Sequence, residues 1–594
     1  MAVALVSALL MAAPATAAKF VTKKQVKKKY YTKAQADTRY PQRIELATSD
    51  GNAPNQGSNL VHWNNLAGVP PGFADGTDDT GEAAPPAWLL AGNAGTDPDT
   101  QFVGTTDDQA LSFRVNDDRA LRLEPDATSP NVIGGFSENE VSTSGATIGG
   151  GGQAGFPNTV TGDFGTVGGG LDNTAGGGTQ ATVGGGEGNT ASGSEATVGG
   201  GDFNTASGGA STVGGGVGNT ADASGATVGG GGANTSSSER STVGGGDGNT
   251  ASGDRSTVGG GADNTASSER STVGGGSINT AGGFAATVGG GANNTATGTQ
   301  ATVGGGRDNQ VTAPFGTIGG GAPSNLGDVA NTRNIVTDEY GTVGGGGDNQ
   351  AGNAAGSTTD SPFATVGGGD SNTASGDQST VGGGRDNTAS ALQATVGGGV
   401  VNIASAQGAT VGGGLTNNAT SFAATVGGGD GNFASGVQST VPGGRGGLAS
   451  LHGQMAHASG LFSAFGDAQT SEFVLRQATT NDTPTELFLD GTDDRLTLGS
   501  GRTFSFEALI VARTANAGGE SAGYRVTGLI ENVGGATAFV GSPTVTVLGE
   551  DNPAWDLTVE ADDPNNALVL EATGVAATTI RWVAMVQTAE VLFE

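Results

Sequence analysis

Cysteine is absent from the 594-residue chain, which excludes disulfides, thiolate metal sites and cysteine nucleophiles. Aromatic residues make up only 5%, so a large conventional core is not expected over most of the length. Basic residues are scarce too: 25 Lys and Arg stand against 57 Asp and Glu, and the net charge of −32 disfavours nucleic acids and anionic membranes as partners. Beyond residues 1–18, no stretch approaches the ~20 apolar residues that a membrane-spanning helix requires.

Glycine, by contrast, is abundant, with 114 residues, and much of it lies in a tandem repeat. The motif begins nineteen times between Thr147 and Thr440, and most copies start fifteen residues after the last. Its consensus is T-V-G-G-G-x-x-N-T-A-S-G-x-x-[A/S], numbered from position 1 at the first Thr to position 15. So strict a period is typical of a solenoid or an array, and it makes a glycine-rich disordered tract the weaker interpretation.

One repeat predicts two short strands and two tight turns, because Val and Thr favour strands whereas Gly-Gly-Gly, Asn-Thr and Ser-Gly favour turns. Alternation along a strand places Val at position 2 and Ala or Ser at position 15 on one face, with the Thr at position 1 on the other. We assign the Val face to the interior. The second strand then directs Asn at position 8 and Ala at position 10 inward, and the Asn residues form a ladder that caps the turn.

Such a core is thin. Ordering a residue costs about 1.5 kcal/mol, whereas one Val and two Ala return only a few kcal/mol at roughly 25 cal/mol per Å² of buried surface. Each rung of the solenoid must therefore depend on backbone hydrogen bonds to neighbouring rungs, and we expect contacts with other chains as well. Glycine at so many strand positions also predicts close approach of backbones.

The run N-T-A-S-G-x-x-A-T-V-G-G-G, as at residues 189–201, resembles the head repeats of trimeric autotransporter adhesins and the similar repeats of phage tail fibres. The resemblance spans roughly residues 143–465. It implies an all-β fold, in which parallel β-rolls of fifteen-residue rungs are bundled as a homotrimer. Tyr30-Tyr31-Thr32-Lys33 also resembles short units found along phage tail fibres.

We divide the chain into five segments. Residues 1–18 predict a secretory signal with a cleavage-type site at Ala15-Thr16-Ala17, although a basic n-region is missing. Residues 19–43 form a basic helical or stalk segment, 44–142 a small β adaptor, 143–465 the solenoid, and 466–594 a C-terminal β-sandwich or jelly-roll head. In the adaptor, the acidic turn Asp75–Asp79 has oxygen ligands that Ca²⁺ could use, but an ordinary turn is favoured.

Within the solenoid, chemical variety is confined to the free pairs at positions 6–7 and 13–14. Acid–base pairs recur there, at Glu239-Arg240, Asp254-Arg255 and Glu269-Arg270, and diagonal pairing between rungs could offset the like-charge repulsion. Two interruptions, at 322–341 and 350–364, are candidate binding loops on a rigid scaffold.

The predicted functional residues are few. His452 and His457 could ligate a metal, but no suitable third ligand lies nearby, so packing is preferred. No catalytic, cofactor or metal residue is predicted. The candidate binding residues are Tyr524, Arg525, Trp555, Trp582, Arg333 and Tyr340, because aromatic residues and Arg are the types that anchor interfaces.

These features predict a non-enzymatic, homotrimeric attachment protein, secreted or on the cell surface, that recognises a receptor or polysaccharide through residues 471–594. The C-terminal segment resembles the knob of phage tail fibres, which keeps a virion fibre open. A second alternative is a tail spike with polysaccharide-directed activity, although no pair of carboxylates stands out. A third is an ice-binding solenoid that uses the Thr column at position 1.

Overall fold

The structure is a computed structural model that describes residues 94–515 and 518–593. The predicted signal, the basic segment and the Asp75–Asp79 turn lie outside the described residues, and so does most of the adaptor. The chain divides after Gly104 into two compact units. In the first unit, Gln101 N donates to Asp97 O at 2.8 Å and closes a turn. The solenoid and the C-terminal sheets belong to the second unit, residues 105–594.

Three strands precede the solenoid. Leu111–Val115 and Asp118–Glu124 form an antiparallel hairpin. Asn116 and Asp117 adopt left-handed φ values of 53° and 65° at its turn, the geometry that suits a tight hairpin. Asp118–Glu124 then pairs with Asn131–Gly134, whose other edge pairs in parallel with the first rung. These strands therefore lead directly into the solenoid.

The solenoid is a parallel β-structure with two columns of two-residue strands. In the first column each strand carries the Thr-Val or Thr-Ile of positions 1 and 2 and pairs with the equivalent strand of the next rung. Its nineteen strands are Thr147–Ile148, Thr166–Val167, Thr182–Val183, Thr197–Val198, Thr212–Val213, Thr227–Val228, Thr242–Val243, Thr257–Val258, Thr272–Val273, Thr287–Val288, Thr302–Val303, Thr317–Ile318, Thr342–Val343, Thr365–Val366, Thr380–Val381, Thr395–Val396, Thr410–Val411, Thr425–Val426 and Thr440–Val441.

The second column holds positions 9 and 10 in the same parallel register. Its strands are Glu140–Val141, Thr159–Val160, Thr174–Ala175, Thr190–Ala191, Thr205–Ala206, Thr220–Ala221, Thr235–Ser236, Thr250–Ala251, Thr265–Ala266, Thr280–Ala281, Thr295–Ala296, Gln310–Val311, Ile335–Val336, Gln350–Ala351, Thr373–Ala374, Thr388–Ala389, Ile403–Ala404, Asn418–Ala419, Phe433–Ala434 and Leu448–Ala449. Single bridges at position 6, such as Asp247 with Ala262, link the rungs a third time.

The interior follows the alternation predicted from the repeat. Val at position 2, Ala at position 10 and Ala or Ser at position 15 are buried throughout, as Val258, Ala266 and Ser271 show, whereas the Thr at position 1 is half-buried. These small side chains form one continuous cluster along the solenoid. The parallel β-solenoid of fifteen-residue rungs is confirmed.

Backbone hydrogen bonds between rungs compensate for the thin core. Positions 1, 3, 6, 9 and 11 donate to carbonyls of the following rung, and positions 7 and 14 donate to the preceding one. In the rung that starts at Thr257, the donors are Thr257, Gly259, Ala262, Thr265 and Ser267 forward, and Asp263 and Arg270 backward, over 2.8–3.0 Å. Seven of the fifteen backbone N–H groups of this rung thus bond across to the strands and turns of adjacent rungs, which pairs polar groups that burial would otherwise leave unsatisfied.

The Asn at position 8 forms the predicted ladder. Asn264 Nδ2 donates to Gly260 O in its own rung (2.9 Å), to Gly276 O in the next (2.8 Å) and to Asn249 Oδ1 in the preceding one (3.1 Å). Asn249 Oδ1 also accepts from Asn264 N at 3.0 Å. The pattern recurs from rung to rung, and these Asn side chains are fully buried. Each Asn therefore joins three rungs.

Close backbone approach explains two positions of the glycine triplet. A Cβ at Gly259, position 3, would lie 2.3 Å from Gly274 O in the next rung. At position 5, Gly261 has φ +93° and a Cβ there would lie 2.0 Å from Gly276 O. Pro442 occupies position 3 in the last regular rung. It lacks an N–H, and the ladder ends after it.

The first column continues into the C-terminal region. Met455–Ser459 pairs in parallel with Thr440 and with Gly444–Arg445, and then antiparallel with Ala468–Thr479. Two antiparallel sheets follow and share one core, which includes Phe473, Phe504 and Trp582. The first contains Ala468–Thr479, Ile580–Leu592, Arg502–Thr514, Ser521–Val533, Ala536–Phe539 and Thr544–Glu550. The second contains Thr485–Glu486, Leu496–Thr497, Asp556–Asp562 and Ala567–Thr573.

A buried ion pair marks the junction between the solenoid and these sheets. Arg502 Nη1 lies 2.6 Å from Glu590 Oε2, and the Glu590 side chain is fully buried. Gln469 Nε2 donates to the same carboxylate at 3.1 Å, and its Oε1 accepts from Leu448 N at 2.9 Å. Because Leu448 belongs to the last strand of the second column, this network ties the solenoid to the C-terminal region.

The Asn ladder makes a direct stability prediction. Asn294→Ala removes the donor to Gly290 O and Gly306 O and the acceptor for Asn309, leaving buried polar groups unpaired. We expect the free energy of unfolding to fall by about 3 kcal/mol or more, measured by urea denaturation.

Position 7 of another rung provides a control. Ala233 there is exposed and has φ +50°, a conformation that glycine adopts freely, so Ala233→Gly should change stability by less than about 1 kcal/mol. Equal losses in the two variants would contradict the role assigned to the ladder.

Candidate functional site

The turn at positions 13 and 14 forms one corner of every rung. Position 14 adopts left-handed φ, for example 55° at Arg255 and 58° at Arg270, and its N–H bonds to position 13 of the preceding rung. This geometry costs a non-glycine residue about 1 kcal/mol. It leaves the side chains of positions 13 and 14 largely exposed, so they present a line of variable residues on a constant backbone.

Three aromatic residues follow one another at position 14. We call Phe315, Tyr340 and Phe363 the aromatic row. Adjacent rings are stacked with centroids 4.8 Å apart and planes within 6° and 9° of parallel. Their exposed fractions are 37%, 43% and 52%. Stacking contributes about 0.5–1.5 kcal/mol per pair, yet the row still exposes a continuous apolar surface.

Polar and charged side chains extend this corner on both sides. Gln378 and Gln393 occupy position 14 beyond Phe363, and Gln393 Nε2 donates to Gln378 Oε1 at 3.3 Å. On the other side, Arg255 contacts Glu269 of the next rung at 3.8 Å, and the Arg270 guanidinium lies 5.6 Å from the centre of the Phe284 ring. The diagonal pairing predicted from the repeat is thus present, although its exposure limits its contribution to stability.

The first insertion precedes Tyr340. Asn334 takes position 8 in the ladder and Ile335–Val336 pairs in the second column, so the ten extra residues of this rung lie within 322–333 rather than over the whole of 322–341. They include a short helix, Val329–Thr332, and Thr332 Oγ1 donates to Asn325 O and Asp328 O. The expected boundary was wrong because the Asn-Ile-Val run still satisfies the repeat.

The second insertion lies next to the aromatic row. Gln350–Ala351 pairs normally, so the extra residues are 353–361. Glu339 N donates to Thr358 O at 2.8 Å, which attaches the loop to the corner beside Tyr340. Asp338 is fully buried beneath it, and its Oδ2 accepts from Asn353 N at 2.8 Å.

The carboxyl groups of Asp338 and Asp360 interact electrostatically. Burial raises the pKa of Asp338, and the neighbouring Asp360 charge adds to the effect. Polar neighbours, Asn353 first among them, lower the pKa of Asp360. The protonated form is therefore favoured at Asp338 and the ionised form at Asp360. Sequence reasoning missed this pair, because its members are separated by a loop of unremarkable composition.

Three of the predicted binding residues lie in the C-terminal core. Tyr524, Trp555 and Trp582 are at most 2% exposed, with the Trp582 ring 6.1 Å from Tyr524 and 5.8 Å from Trp555. Trp582 Nε1 donates to Thr479 Oγ1 at 3.0 Å. Side chains buried this way cannot meet a partner without unpacking the core, so the structure assigns these three to packing.

The other three predicted residues are accessible to different degrees. Arg525 is exposed and bonds to Glu507 at 2.8 Å. Arg333 is half-buried at the end of the first insertion, while Tyr340 stands at the centre of the aromatic row. Binding by these residues stays a prediction.

The two histidines considered as metal ligands, His452 and His457, have different surroundings. His452 Nδ1 lies 3.0 Å from Asp494 Oδ2, and His457 is on the exposed face of its strand. Within residues 94–515 and 518–593, no group of three His, Asp or Glu is arranged to hold a metal ion. The same residues include no helix that is long and apolar enough to cross a membrane.

Comparison with known proteins gives matches in structure only. No family model matches the chain, and no curated protein matches its sequence. Its fold is similar to that of the tailspike gp49 of Acinetobacter baumannii phage Fri1, a capsular polysaccharide depolymerase, at 9% identity and a TM-score of 0.19, covering 76% of this chain and 82% of that one. This similar structure is a phage tailspike. Two more, from phage AM24 and Acinetobacter phage vB_ApiP_P1, are 9% identical with TM-scores of 0.15 and 0.16, covering 66% and 78% of this chain and 72% and 81% of theirs.

The strand pairing of this chain itself shows the parallel β-solenoid, and TM-scores of 0.15–0.19 add no argument for a tail fibre or against an adhesin head. The prediction that the chain is not an enzyme is contradicted, because gp49 is described as a capsular polysaccharide depolymerase, and it is withdrawn. At these TM-scores, no residue of the tailspikes can be equated with a residue of this chain. Functional assignment therefore depends on the chain's own side chains.

The Asp338–Asp360 pair predicts that attachment of the second insertion depends on pH. A raised pKa means that the stability Asp338 contributes is present at low pH and is lost as the pH rises through that pKa. Asp338→Asn keeps an oxygen that can accept from Asn353 N, and its side chain carries no charge at any pH. We expect it to slow hydrogen exchange of residues 353–361 at pH 8 relative to the native chain, after correction for intrinsic rates.

At acidic pH, where Asp338 is protonated in the native chain, the two proteins should exchange alike. Asp348→Asn serves as the control, since that carboxyl is also held at a raised pKa by burial but belongs to the opposite corner. Equal protection of residues 353–361 in all three proteins at pH 8 would refute the role assigned to Asp338 in attaching this loop.

Proposed function

We propose that this protein is a tail-fibre-like or tailspike-like protein that binds a surface polysaccharide along the corner formed by positions 13 and 14. The main observation behind this proposal is the aromatic row. Exposed aromatic rings that are fixed in register offer apolar contact to the C–H faces of sugars, and the Gln, Glu and Arg side chains beside them can bond to hydroxyl groups.

The dimensions of the corner support a chain-like ligand. The 4.8 Å between successive rings is the rise of one rung and is close to the length of one sugar unit in an extended polysaccharide. A linear glycan that runs along the solenoid axis would meet an equivalent backbone every rung, whereas a compact ligand would use only one. The second insertion, attached at Glu339, forms one wall of this path.

Recognition was also predicted for residues 471–594, and that placement stays a prediction. The corner adds a second contact region in the solenoid, where the repeat itself offers little variety. Virion tail localisation fits this proposal better than a self-anchored surface protein, and we propose it accordingly.

Binding of immobilised bacterial capsular polysaccharides by the full chain, measured by surface plasmon resonance, tests the role of the aromatic row. Phe363→Ala removes its most exposed ring and should weaken binding about ten-fold or more. Release of reducing ends in the same samples reports whether the bound polysaccharide is also cleaved.

Phe203→Ala is the matched control, because Phe203 is an exposed ring with left-handed φ at position 7, on a different corner. Its binding should equal that of the native chain. Equal losses in the two variants, or none in Phe363→Ala, would rule out the aromatic row as the contact surface.

We also propose a homotrimer, supported by the strand Thr544–Glu550. This edge strand pairs only with Ser521–Val533, and all seven of its residues are exposed. Val547 and Leu548 are 53% and 60% exposed. An edge strand with apolar side chains on both faces favours association with another chain, and three copies packed through it would cover them.

Sedimentation equilibrium at micromolar concentration should give three times the mass of the chain. Val547→Glu places a charge in the interface and should shift the equilibrium towards monomer. Val533→Glu, at an exposed valine of the neighbouring strand, should leave the trimer intact. A folded native monomer under these conditions would contradict the assembly.

A further inference from the structure

Two arginines project from the outer face of the first C-terminal sheet. Arg476 lies on Ala468–Thr479 and Arg581 on Ile580–Leu592, which pair antiparallel. Arg476 is opposite Val583 and Arg581 is opposite Ala478, so the two arginines are diagonal neighbours, and both are exposed. Diagonal side chains on one sheet face lie within reach of each other when they are long.

The charge at this place is unbalanced. Arg513 stands directly opposite Arg581 on the next strand, which adds a third guanidinium to the same face. None of the ion pairs in the described part of the chain includes Arg476 or Arg581. Like charges in neighbouring cross-strand positions destabilise a sheet, and the chain has an excess of carboxylates that could have paired with them.

The Arg476 side chain is held in place before any ligand arrives. Its Nη1 donates to Leu489 O at 3.4 Å and its Nη2 donates to Asp490 O. The adjacent Gly491 has φ +80°, and a Cβ there would lie 3.0 Å from Arg476 Nε. A guanidinium has five N–H donors, so donors remain for a ligand after these two bonds.

The nearby Asp490 carboxylate does not neutralise these arginines. It accepts from the backbone N–H groups of Thr492, Asp493 and Asp494 and from the Thr492 hydroxyl. These bonds lower its pKa, the Thr492 hydroxyl having the largest effect. The carboxylate is therefore committed to its own turn, and it is the backbone carbonyl of Asp490 that meets Arg476.

The arginines border a depression of about 280 Å³ whose lining includes the outward-facing Ala478 and Val583. This volume is close to the lower end of ligand sites and suits a single sugar unit. We propose that it binds the carboxylate of an acidic saccharide, with Arg476 and Arg581 as the donors. The saccharide part rests on the proposed function, whereas the anion site rests on the arginines alone.

Calorimetric titration of the full chain tests the inference with two probes, trigalacturonic acid and neutral galactotriose. The acidic probe should bind about ten-fold or more tighter than the neutral one, and Arg581→Gln should reduce its affinity by a similar factor. Arg385→Gln is the control, because Arg385 is exposed but pairs with Asp386 and lies in the solenoid at position 6. Its affinity should equal that of the native chain.

Sodium sulfate, as a third probe, separates a saccharide site from a general oxyanion site. Sulfate that binds as tightly as trigalacturonic acid would overturn the saccharide assignment, and undiminished binding by Arg581→Gln would overturn the site. Unchanged thermal unfolding of Arg581→Gln would show that its loss is local. If Arg581→Gln no longer binds trigalacturonic acid while Phe363→Ala still binds polysaccharide normally, the arginine site is supported and the proposed role of the aromatic row is wrong. If Phe363→Ala loses polysaccharide binding while Arg581→Gln still binds trigalacturonic acid, the aromatic row is supported and the arginine site is wrong.

Discussion

Hydrogen bonding between successive rungs is the interaction on which this solenoid depends. A rung buries little more than one Val and a few small side chains, and that burial cannot offset the entropy of ordering fifteen residues. Seven backbone donors per rung and the buried Asn connect it to its neighbours instead. Stability is thus a property of the interfaces between rungs, as in other repeat proteins.

This dependence divides the positions of a rung into two classes. The Gly at position 3 has no room for a Cβ, and the Asn at position 8 bonds to three rungs, so both are fixed. Positions 6, 7, 13 and 14 contribute only their backbones, and their side chains are free to vary. Function is consequently placed at the corners, where a new side chain changes the surface without disturbing the hydrogen bonds.

The sequence alone predicted the parts that recur. Val, Ala and Asn return every fifteen residues, so their inward direction followed from strand alternation. The aromatic row was missed although the sequence contains its signal, because Phe315, Tyr340 and Phe363 each stand two residues before the Thr that opens the next rung. In the C-terminal region the sequence predicted a β-sandwich or jelly roll, but not that Tyr524 lies inside while Val511 and Val583 lie outside.

A chain of nearly identical rungs faces an ambiguity while it folds. A rung displaced by fifteen residues along the ladder would form almost the same hydrogen bonds, so the repeat itself scarcely distinguishes the native pairing from a shifted one. The insertions and the aromatic row remove that ambiguity. Phe315, Tyr340 and Phe363 stack together only in the native pairing, and a shift by one rung would place a Gln in the stack. The aromatic row therefore also sets the register in which the rungs pair during folding.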